Sequence, residues 1–197
     1  MRSKLGLGCI IVIAFMALGL AKFEYSSGSA PSSPPATVVN HPDLLLSGLS
    51  SYKKWTLVNP VPQLMELPVA VACARVIGRT EESPHTHKYI LVYVNETGRT
   101  AMMKQLVPIF PTGSMIVKEK LSDKDSKTPE LLTAMVKREK GYNPDSGDWE
   151  YVVLDGSASE IKERGTLASC NSCHLNYKHS DFVTKTYLPR ELIQKLK

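Results

Sequence analysis

The chain has 197 residues, of which 43% are hydrophobic, so it can bury the core of one ordinary domain but leaves little room for a second. Lysine and arginine outnumber aspartate and glutamate by 24 to 19, and the excess is spread along the chain. This pattern predicts a mildly basic, solvated surface and excludes the dense basic block with interleaved aromatics that would bind nucleic acid.

The N-terminal segment, residues 1–21, has the pattern of an export signal. Arg2 and Lys4 supply positive charge, and the apolar run 5–21 ends in small residues, which predicts cleavage after Ala21. The run is also near the shortest length that spans a bilayer, so an uncleaved membrane anchor is the alternative. Both alternatives predict export, to the periplasm or to a periplasm-facing position on an N-terminal tether.

Residues 22–39 are predicted to be a flexible linker. The stretch 26–36 consists of serine, glycine, alanine and proline, which offer almost nothing to bury. We therefore expect one folded domain over residues 40–197.

Helices are predicted towards both ends of this domain. On the N-terminal side the candidates are 44–57 and 63–74, the second interrupted near its middle by Pro68. On the C-terminal side they are 166–177 and a short last helix over 190–197.

The middle of the domain changes to the period of β-strands. Residues 89–94 are β-branched or aromatic, and 95–98 are turn formers. Similar patterns predict strands at 115–117, 131–136 and 149–154. Because turn-rich segments join successive strands, we expect an α+β fold, a mostly antiparallel sheet with peripheral helices.

Cys170-Asn171-Ser172-Cys173-His174 is the C-x-x-C-H pattern of covalent haem attachment. Two thiols three residues apart on a helical turn reach the two vinyl groups, and the adjacent imidazole lies beneath the iron. The pattern predicts one haem c bound through Cys170 and Cys173 on a C-terminal helix, with His174 as the axial ligand.

Three other interpretations of the motif are weaker. A zinc site lacks a second pair of ligands, a thioredoxin-like pair lacks its βαβ setting, and a structural disulfide leaves His174 unexplained. Cys9 lies too early in the apolar run to carry a lipid and would leave with a cleaved signal. Cys73 is interpreted as a small buried hydrophobe.

The position of the motif in the chain argues against two common classes of c-type cytochrome. Small all-helical cytochromes carry it near the N-terminus of the domain, whereas here it lies close to the C-terminus. Helical-bundle cytochromes need four long helices, which the β-rich centre does not provide.

Four segments together resemble the cytochrome P-460 family, which includes the cytochromes c-prime-beta. They are 89–98 (YILVYVNETG), 110–121 (FPTGSMIVKEKL), 131–156 and 168–174 (ASCNSCH). The resemblance implies a β-sheet domain, typically a homodimer, that holds one haem with a single protein ligand and an open distal face.

In P-460 enzymes a lysine is cross-linked to the porphyrin edge, and the resemblance places that role on Lys118. Strand alternation sets Ile116, Lys118 and Lys120 on one face, so Lys118 reaches the haem only if that face is the pocket side. From the residue alone an exposed lysine is the simpler interpretation. The covalent bond itself stays open, because the cytochromes c-prime-beta share the scaffold without it.

The distal side departs from the hydroxylamine-oxidising members, which the resemblance credits with a carboxylate on the next strand. Residues 131–136 contain no acid, and Thr133 or Met135 would lie nearest. We therefore expect an apolar pocket that suits neutral gases such as nitric oxide, with Phe110 as its wall. Core packing is the equal alternative for Phe110.

Two further sets of side chains are considered as ligands. Four methionines could supply a sixth ligand, although packing is the commoner role; they are Met102, Met103, Met115 and Met135. The pair His85 and His87 offers too few ligands for a metal.

The sequence thus predicts a mono-haem cytochrome with an open distal site, taking part in small-ligand binding or nitrogen-oxide redox chemistry with a partner protein. The alternatives are a hydroxylamine-oxidising enzyme with cross-linked Lys118 and a periplasmic electron carrier.

Overall fold

The computed structural model describes residues 42–65 and 87–196. These belong to a compact unit that spans residues 40–197. The predicted export segment and linker, together with Cys9, Cys73 and His85, lie outside the described residues, so the interpretations placed on them stay predictions.

One antiparallel sheet forms the centre of the described chain. Its strands are β1 (Thr56–Leu57), β2 (Gln63–Leu64), β3 (Tyr89–Val94), β4 (Met115–Leu121), β5 (Leu131–Lys137), β6 (Trp149–Asp155) and β7 (Ile161–Gly165). The strand order is β1-β3-β4-β5-β6-β7, and β2 also pairs with β3. The antiparallel sheet with its helices confirms the predicted α+β class. Strands β3 to β6 coincide with the segments that the sequence predicts as strands from their β-branched and aromatic residues.

The helices are short and lie around the sheet. They are α1 (Pro42–Ser50), α2 (Glu96–Lys104), α3 (Ala168–His174) and α4 (Arg190–Lys195), with 3-10 turns at Tyr52–Lys54, Pro144–Ser146 and Leu175–Ser180. The helices predicted near the C-terminus are present but shorter, since a 3-10 turn follows α3.

The two helices predicted on the N-terminal side need correction. The helix expected over 44–57 ends at Ser50, and Thr56–Leu57 pairs with β3 instead. The helix expected over 63–74 begins as a strand, because Gln63–Leu64 pairs with Tyr89 and Ile90. Both short strands satisfy backbone groups at the free edge of β3, and this tertiary pairing overrides local helix propensity.

Residues 95–98 are the start of a helix, not the simple turn that the sequence predicts. Asn95 caps α2 by accepting a hydrogen bond from the Gly98 N–H at 3.1 Å. Asparagine favours both turns and N-caps, because its side chain can bond to a nearby backbone N–H in either.

The sheet separates two hydrophobic clusters. The front face carries Ile90, Val92, Ile116, Met135 and Tyr151, and C-terminal segments pack against it. The back face packs against α1. It carries the side chains that alternate along the strands with those of the front face, namely Tyr93, Val117, Leu132, Ala134 and Val152. Strand alternation therefore decides which residues can meet the motif on α3.

Candidate haem-binding site

The helix α3 holds the attachment motif within seven residues, Ala168–His174. Leu167 is its N-cap, and the Leu167 carbonyl accepts hydrogen bonds from the N–H groups of Cys170 at 3.0 Å and Asn171 at 2.9 Å. Cys170 is partly buried and packs against the front-face cluster. The motif therefore lies on the front side of the sheet.

The two motif cysteines differ in their bonding. Cys170 is a free thiol whose pKa is raised by burial, whereas Cys173 is disulfide-bonded. The two are thus not bonded to each other, but the structure does place a disulfide on Cys173, as the structural-disulfide interpretation of the motif allows. Covalent attachment of haem through both sulfurs requires Cys173 as a thiol, and so requires reduction of its disulfide first.

His174 is oriented by a backbone carbonyl. Its Nδ1 lies 2.7 Å from the carbonyl oxygen of Phe182. A carbonyl can only accept, so Nδ1 carries the proton and Nε2 keeps its lone pair. Burial, together with the charge of Lys118, lowers the pKa of His174 to about 4, and the imidazole is therefore neutral at pH 7. A neutral imidazole with Nδ1–H held by a carbonyl is the form that binds iron.

Tyr151 lies against His174 on the front face. The two ring centroids are 5.2 Å apart, and only 2% of Tyr151 is exposed. Its hydroxyl is buried and lies near the Ser146 side chain, but it makes no hydrogen bond of normal geometry within the described part of the chain. Buried hydroxyls are normally satisfied, so this atom fits a site whose missing partner is a bound group with polar atoms.

Lys118 lies on the front face, which meets the condition set by the sequence. In the sheet it is opposite Val92 on β3 and Thr133 on β5. Its Nζ lies 4.8 Å from the centre of the Tyr187 ring, and its charge contributes to the lowered pKa of His174. Lys118 therefore shares the side of the sheet, and the neighbourhood, of the motif histidine.

A second lysine, Lys120, is buried on the same face. Only 2% of the residue is exposed, and burial, followed by the charge of Lys118, lowers its pKa to about 7. Nearby Cys170 also contributes to the pKa of Lys120. The sequence placed Lys120 beside Lys118 but gave no sign of this burial.

Of the two side chains expected near Lys118 on β5, only Thr133 is in register with it. Thr133 lies directly opposite Lys118, and Met135 lies opposite Ile116 and is 8% exposed. The next strands add an acid that the sequence did not predict, because Glu163 on β7 lies opposite Val153 in the same row. Glu163 is exposed, and its charge contributes to the raised pKa of Cys170.

Phe110 is a core residue of the front-face cluster. It is 2% exposed and packs edge-on against Trp149, with ring centroids 5.4 Å apart. Its N–H donates to the Asp181 carboxylate at 2.8 Å. These contacts are those expected of a residue that packs in the core. A role of Phe110 as the wall of a ligand pocket stays a prediction.

The methionines divide between the two faces. Met102 and Met135 belong to the front cluster, and Met103 packs at its margin. Met115 packs with the back cluster. Met115 and His174 therefore lie on opposite sides of the sheet, which argues against Met115 as the sixth ligand.

A metal ion held by side chains alone finds no support in residues 42–65 and 87–196. No group of three or more histidine, cysteine, aspartate or glutamate side chains comes together there. His87 is exposed, and its predicted partner His85 lies outside these residues. The donors instead suit a haem: His174 could bind the iron and the free thiol of Cys170 could attach the porphyrin, with Cys173 available only after its disulfide is reduced. Tyr151 and Lys118 lie beside His174.

Comparison with known proteins identifies a family for this chain. No curated protein matches the chain. Within the described residues, no helix is long and apolar enough to cross a membrane. The family model described as cytochrome P-460 matches residues 71–185, which include β3 to β7, Lys118 and the whole attachment motif. Since this match covers more than half of the chain, the protein belongs to the cytochrome P-460 family, and a haem cofactor follows from that membership.

Proposed function

We propose that the protein is an exported mono-haem c-type cytochrome whose iron binds a small neutral ligand such as nitric oxide. One haem is attached through thioethers to Cys170 and Cys173, and Nε2 of His174 is the only protein ligand. A haem with one protein ligand supplies an open iron site for a small ligand and for one-electron redox chemistry. The observation that carries the proposal is the 2.7 Å contact between His174 Nδ1 and the Phe182 carbonyl oxygen, which leaves Nε2 with a lone pair for iron.

The residues opposite Lys118 support ligand binding over hydroxylamine oxidation. Oxidation requires a group that takes protons from the substrate. Thr133 lies opposite Lys118 and Met135 occupies the next front-face position of β5, and neither is a base at neutral pH. These side chains provide a weakly polar surface, which suits an uncharged diatomic ligand.

Hydroxylamine oxidation with a cross-linked Lys118 is the second candidate. It is favoured by the front-face position of Lys118 and by Glu163, a carboxylate in the same row of the sheet. Glu163 is exposed, so it would have to act at the rim of the site. We rank this candidate second for that reason.

Intact mass and optical spectra of protein from a haem-attaching host test the proposal. We expect the mass of one haem in the wild type, and loss of one thioether in Cys170→Ala. The ferrous spectrum should be pentacoordinate and should change on addition of nitric oxide or carbon monoxide. A low-spin spectrum that ignores both gases would support the electron carrier, and the absence of haem mass would overturn all three functions.

The cross-link has its own test. A red-shifted Soret band that is lost in Lys118→Leu and kept in Lys120→Met would assign the cross-link to Lys118 and favour the enzyme. An unshifted band in all three proteins would favour the ligand-binding cytochrome. Lys120 is the matched control because it lies two residues away on the same face.

The cellular setting is part of the proposal. We propose export through residues 1–21, with either cleavage after Ala21 or retention as a tether, and a homodimer that exchanges electrons with a partner protein. N-terminal sequencing of protein from the periplasm distinguishes cleavage from retention. Light scattering of the purified domain tests the dimer.

A further inference from the structure

The segment that follows the motif contains two consecutive residues in the left-handed backbone region. The φ angle is 52° at Asp181 and 62° at Phe182. Aspartate adopts this region fairly often, but for a bulky residue such as phenylalanine it is an outlier. Such a conformation persists only where the surrounding structure holds it.

Asp181 is held by three separate parts of the fold. Its carboxylate accepts hydrogen bonds from Lys137 Nζ at 2.6 and 2.7 Å and from the Phe110 N–H at 2.8 Å. Its backbone carbonyl accepts a hydrogen bond from the indole N–H of Trp149 at 2.8 Å. The side chains of Lys137 and Asp181 are each 13% exposed, so this ion pair is largely shielded from water.

Phe182 is fixed on its other sides as well. Its N–H donates to the Tyr177 carbonyl at 2.8 Å, and the residue is 6% exposed. A Cβ atom on Gly147 would lie 2.6 Å from the Phe182 ring, so the ring sits directly against this glycine. The Phe182 carbonyl, which accepts the proton of His174 Nδ1, therefore has little freedom to turn away.

We infer that Asp181, through its ion pair with Lys137, is a positioning residue that holds the Phe182 carbonyl against His174 and so sets the strength of the bond from His174 to the haem iron. This inference rests on the proposed function. Asp181 does not touch the iron ligand, and it acts only through the backbone of Phe182.

The physical link is the electron density of the imidazole. A carbonyl that accepts the Nδ1 proton makes Nε2 a stronger donor. If the Asp181 pair is lost, the left-handed segment relaxes and the Nδ1–H···O bond weakens. The iron–histidine bond then weakens too, and the ferric state loses stabilisation relative to the ferrous state.

The test uses the haem-loaded protein and three variants. Asp181→Asn removes the charge but keeps a residue that tolerates positive φ, and Asp181→Ala removes both. Lys137→Met breaks the same ion pair from its other end. Glu160→Gln is the control, because it removes an ion pair, with Lys162, whose side chains are 64% and 49% exposed.

Resonance Raman spectra of the ferrous proteins and their reduction potentials are the readouts. We expect the iron–histidine stretch to move to lower frequency and the potential to rise in Lys137→Met and Asp181→Asn, and further in Asp181→Ala, with no change in Glu160→Gln. Haem-loaded variants with the wild-type stretch and potential would overturn the inference alone. A wild-type protein without haem mass would instead overturn the proposed function.

Discussion

At the scale of single residues, the chemistry of His174 depends on what its ring nitrogens contact. One nitrogen donates to Phe182 and the other is left with a lone pair. In His174→Ala we expect the thioethers to form and the haem mass to be retained, while the spectrum loses its histidine ligand. Added imidazole should restore it by occupying the space of the missing ring. Optical titration with imidazole measures this.

His179→Ala is the matched control for that experiment, because His179 is an exposed histidine five residues further along the chain. It should leave the spectrum unchanged. A spectrum of His174→Ala identical to that of the wild type would show that another group ligates the iron.

Phe110 gives a second prediction at this scale, since its contacts are those of a core residue. Truncation in Phe110→Ala leaves a cavity against Trp149, and we expect the free energy of unfolding to fall by about 3–5 kcal/mol. The neighbouring Ile109 is 76% exposed, so Ile109→Ala should change it by less than about 0.5 kcal/mol. Urea denaturation of both variants checks the difference. An equally small loss in Phe110→Ala would contradict the core assignment.

At the scale of secondary-structure elements, the turn before β6 supports the segment that orients His174. Gly147 has a φ of 65°, and a Cβ atom there would lie within 2.8 Å of two ring atoms of Phe182. Gly147→Ala should therefore lower the free energy of unfolding by more than about 2 kcal/mol, from backbone strain and overpacking together. Thermal and urea unfolding measure the loss.

A second glycine, Gly141, allows the effect of backbone strain to be measured separately from that of overpacking. Its φ is 97°, yet a Cβ atom there would meet nothing within 4 Å. We expect Gly141→Ala to show only the conformational cost, about 1–2 kcal/mol. Equal losses in the two variants would mean that the Phe182 ring moves aside without cost.

The elements that sequence predicted well are those in which local and tertiary preferences agree. Strand β3 is β-branched or aromatic throughout, and burial in the centre of the sheet reinforces that preference. Strand β7 was missed because Lys162, Glu163 and Arg164 make it look like a loop. Charged residues are common on edge strands, where they prevent pairing with other chains. Missing β7 also meant missing Glu163.

The site itself was predictable only in part. The spacing of Cys170, Cys173 and His174 is a local pattern, so it can be recognised from the sequence without knowledge of the fold. The ion pair between Lys137 and Asp181 joins residues 44 positions apart, and the orphaned hydroxyl of Tyr151 depends on what surrounds it. Neither leaves a periodic or compositional signal, so both required the fold.

At the scale of the whole molecule, two basic side chains share the front face of the sheet. Lys118 lies over the Tyr187 ring, and Lys120 is buried two residues later. Burying a lysine favours its neutral form, and a neighbouring positive charge acts in the same direction. The fold therefore bears an electrostatic cost at neutral pH to keep Lys120 in this position.

The pH dependence of that cost is the prediction for the molecule as a whole. The pKa of Lys120 falls from 10.5 to about 7 on folding, so between these values the unfolded chain binds the extra proton. Stability from this group therefore rises with pH across that interval, by as much as about 5 kcal/mol. Below pH 7 both states are protonated and the cost is constant.

Lys120→Met removes this dependence. In protein produced without haem attachment, we expect Lys120→Met to be more stable than the wild type at pH 6–7, with the gap shrinking steadily towards pH 10. Urea denaturation at several pH values measures it, and Lys54→Met, at an exposed lysine, should keep a gap near zero throughout. A pH-independent gap between Lys120→Met and the wild type would show that Lys120 keeps its ordinary pKa, so that its ammonium group must reach water or a partner as the folded protein fluctuates.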